Sequence, residues 1–143
     1  MKNPKIATSH VKQWKTQTSR IAYMGHPSQS WNNTKAVDVF FLDSYSRFLK
    51  KLSDIEDQNG SLLDHTMVLY GSGMNNGETG THSGKNLPLI LGGGAGLGLK
   101  QGQHLSFEND STLLANVHLT MLQKMGIRSD KFSDSKSTLN GLE

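Results

Sequence analysis

The chain has no cysteine. This removes disulfides, thiolate metal sites and cysteine nucleophiles together, and it is compatible with any compartment. Long apolar runs are also missing: nothing approaches the ~18 residues that cross a bilayer, so no membrane-spanning helix is expected. The first thirty residues mix basic and polar positions without an apolar h-region, and no signal peptide is expected in this chain. Runs of like charge are absent too. The net charge is +3 and the lysines are scattered, so no nucleic-acid footprint is expected. Apolar residues make up 34%, against ~45–50% in a typical domain when glycine is counted with them. The deficit lies at the two ends, which places the expected core between about Val37 and Met125.

What is present begins with a helix signal. Asn32, Asn33 and Thr34 are good N-cap types. Val37, Phe41, Tyr45, Phe48, Leu52 and Ile55 then recur at steps of four and three, an apolar stripe on a helix near Lys35–Asp57, widened by Phe40 and Leu49. Asp38, Asp43, Arg47, Lys50, Lys51 and Asp54 fall mainly outside it and are expected to face solvent. Asn59-Gly60 reads as the C-terminal stop of the helix. Before it, Ser19–Met24 reads as a short strand and Gly25-His26-Pro27 as a turn, with His10 and His26 as surface residues. Length supports one modest domain, divided as a polar N-terminal segment (1–30), an α/β core (31–127) and an irregular tail (128–143) packing locally through Phe132, Leu139 and Leu142.

The centre of that core is residues 66–105. Thr66–Tyr70 and Leu87–Leu91 are short apolar strands that each run into glycine. Their lack of alternation fits strands covered on both faces, as in a parallel sheet. A helix before two such strands is the order of α/β layering, where loops at strand carboxyl ends present ligand sites. Gln103–Phe107 alternates as a short edge strand would. Ser111 is the expected cap of a second helix, Thr112–Met125, with Leu114, Val117, Met121 and Leu122 inward, Leu113 and Met125 extending the stripe, and Gly126 as the stop.

Three chemistries were weighed for the loop between the strands. Phosphate binding fails on spacing: Gly84-Lys85 is followed by Asn86, and the glycines of Gly92–Gly98 make no G-x-G-x-x-G. Serine hydrolysis fails because Gly71-Ser72-Gly73 is flanked by Tyr70 and Met74 where a nucleophile elbow needs glycines. Metal binding has two candidate ligands, Glu78 and His82, four apart on the loop, with His65 and His104 elsewhere. Hard or borderline cations need more ligands than that from several loops.

The pattern as a whole is more specific. Leu62-Leu63-Asp64-His65-Thr66-Met67-Val68-Leu69-Tyr70-Gly71-Ser72-Gly73-Met74 resembles the final third of a bacterial family, domain of unknown function family 1552. Asn86–Gly94, Gly102–Leu105, Leu119–Gly126, Phe132–Asp134 and Leu139–Leu142 agree with it, in order, across about Trp31 to Glu143. Members are longer, exported proteins with an N-terminal signal, similar in layout to the alkaline phosphatase and sulfatase superfamily. The resemblance therefore implies the C-terminal fragment of an alkaline phosphatase-like three-layer α/β fold, with two or three core strands and two main helices. It places Thr66–Ser72 as the metal-bearing strand and His82 as the later histidine ligand. Leu87–Gly92 and Thr112–Gly126 take the remaining places.

The departures shape the functional expectation. Gly73 and Met74 stand where those hydrolases place a metal-binding Asp and its neighbour. Glycine has no ligand atom, and a thioether suits such ions poorly. The resemblance also implies that the nucleophile and first metal carboxylates belong to an N-terminal half, on which this part would pack. The expectation is a catalytically incomplete or non-catalytic part of a larger exported protein, with no cofactor in this chain. The alternative is a metal-dependent phosphate- or sulfate-ester hydrolase when joined to that half, with a divalent metal, His82 as ligand and Glu78 as a second.

Overall fold

Helix α1 spans Ser30–Ser53, and no glycine or proline interrupts it. Exposed ion pairs at i,i+4 tie Arg47 to Asp43 and Lys50 to Asp54, each at 2.8 Å. Such pairs add a few tenths of a kcal/mol each, and Lys50 and Lys51 in the last turn complement the helix dipole. The computed structural model describes residues 30–73, 75–76, 82–107 and 112–142. The strand expected at Ser19–Met24, the residues His10 and His26, and the Ser111 cap lie outside the described residues.

The expected apolar stripe of α1 is largely uncovered. Val37 and Phe41 are each 50% exposed, Phe48 is 48% and Ile55 is 53%. The covered side instead carries Asp38, Leu42, Tyr45 and Leu49, all half-buried, and Leu52, which is buried. These recur at steps of four and three as well and share Tyr45 and Leu52 with the expected stripe, so the covered side is turned from it by less than the ~100° of one residue. Apolar side chains nearly surround α1, so periodicity alone does not choose between the two faces. The helix also stops earlier than expected. Asn59-Gly60 belongs to a tight antiparallel hairpin of β1 (Glu56–Asp57) and β2 (Gly60–Ser61), and the Asn59 N–H donates to the Asp57 carboxylate at 2.7 Å. Asn-Gly is a hairpin signal as much as a helix stop, and here the hairpin wins.

The chain divides into two compact units. One joins the chain up to Arg47 with Tyr70–Ile90, and the other joins Phe48–Leu69 with Leu91–Glu143. Strands β3 (Met67–Gly71) and β6 (Leu89–Gly93) form a two-stranded sheet. The pair is antiparallel: Gly71 lies against Leu89 and the Pro88 carbonyl, while Gly93 lies against the Thr66 carbonyl. This corrects the expectation of a parallel sheet. Met67–Tyr70 are half-buried rather than covered on both faces, so an unbroken apolar run here marks partial cover, not a central strand. Between them lies a small antiparallel hairpin, β4 (Asn75–Asn76) with β5 (His82–Ser83). The described residues thus form a small mixed arrangement of two helices and two-stranded sheets.

The second unit holds the core: Leu52, Leu99, Ala115, Val117, Leu119, Leu139 and Leu142 are buried. A 3-10 turn, Leu62–His65, opens with a capping box in which Ser61 and Asp64 satisfy each other's backbone N–H groups. A second 3-10 turn, Ala95–Leu97, packs on the first. Gly93 makes that approach possible. Its φ is +80°, and a side chain there would meet the Thr66 and Leu63 carbonyls. Gly96 lies against the His65 ring in the same way.

Helix α2 runs Leu114–Lys124, with Leu113 as an N-cap that makes no side-chain cap bond. It ends as expected at Gly126, whose φ of +81° lets Gly126 N–H reach Gln123 and Ile127 N–H reach Leu122. Its inward face matches expectation in part: Val117 is buried, and Leu113, Met121 and Leu122 are half-buried. Ala115, Asn116, Leu119 and Thr120 are buried as well, whereas Leu114 is 39% and Met125 61% exposed. Two polar residues face inward because they hold the C-terminal segment. The Asn116 side chain accepts from Lys136 N–H at 3.0 Å, and the Thr120 hydroxyl accepts from Leu139 N–H at 2.7 Å while donating to the Asn116 carbonyl. Residues 128–142 therefore do not pack only locally, and the core extends past its expected limit at Met125: Leu139 and Leu142 are part of it, while Phe132 stays 40% exposed, stacked on His118. Gln103–Phe107 is not a strand. Gln103 donates instead to the carbonyls of Lys100 and Gly141, and Lys100 N–H donates to Leu142.

Two measurements check these assignments. Thr120→Val keeps the side-chain shape but leaves the buried Leu139 N–H without its acceptor. It should lower stability by about 1–3 kcal/mol in a denaturant titration, with faster amide exchange at Leu139. Gly93→Ala should cost at least about 2 kcal/mol. Gly102→Ala, at a similar φ of +77° but with nothing within 4 Å, should cost only the backbone term of about 1–2 kcal/mol.

Candidate functional site

The expected site residues lie in the β3–β6 connection, and only some of them fall among the described residues. Ser72 is half-buried, and Gly73 is exposed with open space where a Cβ would stand. Met74 and Glu78 lie outside the described residues. His82 stands in β5, its backbone opposite Asn76 of β4. His65 lies apart from that hairpin in sequence and is engaged elsewhere: its Nε2 is 3.0 Å from the Asn59 carbonyl. A carbonyl only accepts, so Nε2 carries the proton and the ring is held as a neighbour of Gly96. Among the described residues no group of three His, Asp or Glu side chains is placed to hold a metal ion.

Several backbone groups of the glycine run that ends β6 and continues past it are bonded within the protein. Gly94 N–H donates to Leu63, the Gly93 carbonyl accepts from Gln101, and the Gly98 carbonyl accepts from Lys124. Gly92, Gly93 and Gly94 are buried. The run is a packing device for the two 3-10 turns rather than a loop open to an anion.

The titratable cluster that the structure does assemble was not singled out by sequence. In the first unit, Asp38 of α1 acts on the ionisation of Tyr70 of β3, and the Tyr70 ring lies 5.3 Å from that of Tyr45. Asp38 is half-buried as a residue, yet its Oδ2 is shut off from solvent and has no hydrogen-bond partner. That loss of hydration pushes its carboxyl above the ordinary value of 3.8. Tyr70 is pushed above 10.0, first by its own burial and then by the negative charge of Asp38. In sequence Asp38 looked like a solvent-facing position because the expected stripe runs through its neighbour Val37 instead. A correctly phased stripe would have shown a carboxylate on the covered side.

The arrangement can hold a proton more tightly than free Asp or Tyr, and it resists developing negative charge. Because the folded value of Asp38 is raised, ionisation opposes folding. Stability is lost as pH rises from the ordinary Asp range through the raised value, and the loss is complete once pH has passed that value. Asp38→Asn should therefore be more stable than the parent at neutral pH, with the difference vanishing in acid below the ordinary Asp value. Thermal melts across pH measure this. The chain has three tyrosines, so alkaline absorbance titration resolves Tyr70 directly. Tyr70→Phe should delete a phenol ionising above the ordinary value, and Asp38→Asn should move that phenol back down. No family model, curated protein or solved structure matches the chain.

Proposed function

We propose that this chain is a catalytically incomplete or non-catalytic module: the C-terminal part of a larger exported protein resembling domain of unknown function family 1552, packed on the N-terminal remainder of that protein. The observation that carries this is the uncovered apolar side of α1. Phe40 is 60% exposed, and Val37, Phe41 and Phe48 are each close to half exposed. Scattered exposed apolar residues are ordinary, but four large ones on one helix form a patch of the kind that marks an interaction surface. The β3–β6 sheet points the same way. Among the described residues it has two strands, a marginal arrangement in water, and each strand has an edge that further strands of an alkaline phosphatase-like layer would cover. The chain's contribution is structural: a scaffold loop and a helix face, with the reacting groups of any ester hydrolysis supplied by the remainder.

The test uses the 143-residue chain alone. It should bind the dye ANS and self-associate as concentration rises, and a Phe40→Ser/Phe41→Ser variant should lose most of both while keeping its helical circular dichroism. A dye-silent monomer would overturn the docking reading. Titration with zinc and manganese should leave its melting temperature unchanged in both the parent and His82→Ala. Metal-dependent stabilisation that is lost in His82→Ala would replace this reading with the metal-dependent ester hydrolase.

A further inference from the structure

We draw no further inference here: the strongest candidate, the Asp38–Tyr70 cluster of helix α1 and strand β3, holds one unpartnered carboxylate oxygen on a half-buried residue but is otherwise distinguished only by its shifted proton affinities, and nothing in the structure shows what would bind it.

Discussion

The second unit depends on one close approach, that of the Gly93 backbone to the carbonyls of Thr66 and Leu63. There is no room for even a methyl group between them. The approach brings the Ala95–Leu97 turn onto the Leu62–His65 turn, lets Gly94 N–H bond to Leu63, and leaves the Gly93 carbonyl for Gln101. Leu99, which follows directly, packs under Gly94 and is among the buried residues. A glycine-rich stretch that looks like a ligand loop in one dimension is thus a seam in three. Several of its donors and acceptors, those of Gly93, Gly94 and Gly98, are committed to neighbouring segments.

A second constraint is polar. Asn116 and Thr120 sit on the buried side of α2, where an aliphatic residue would contribute more by burial alone. They are tolerated because each is hydrogen-bonded to backbone of the C-terminal segment, and a buried polar group with its partners in place carries little penalty. The exchange converts a segment of low apolar content into an ordered one. With few side chains to bury, residues 128–142 are held by backbone bonds to two helix side chains and by Leu139 and Leu142. This is also why the helix has apolar residues left on its outer side, Leu114 and Met125 among them.

The functional picture follows from what these constraints leave over. Gly73 offers no donor atom, and His82 occupies a backbone position in a two-residue strand. The features that do stand out are an apolar helix face and, on the adjoining covered side, a carboxylate with an orphaned oxygen. The first is the surface the proposed association would use, and the second is a local cost to stability. Neither is the signature of an assembled catalytic centre, which would bring several ligating or proton-transferring groups to one point.

Local signals were legible in the sequence wherever one residue's chemistry decides the outcome. Glycine at 126 ends α2 through its left-handed backbone, helix residues 35–53 form because no breaker interrupts them, and the apolar runs at 67–71 and 89–93 form strands within two residues of their expected bounds. Asn59-Gly60 is legible as a break but not as a hairpin, since turn-forming residues mark a helix end and a hairpin alike, and here only Gly60 takes a positive φ. Tertiary structure alone decided three things: which face of α1 is covered, the antiparallel sense of β3 and β6, and the inward placement of Asp38, Asn116 and Thr120. Each depends on a partner distant in the chain: Tyr70 for Asp38, Thr66 for Gly93, Leu139 for Thr120. Periodicity records that a helix has an apolar side, but when apolar residues surround it, only the neighbour that arrives selects the side.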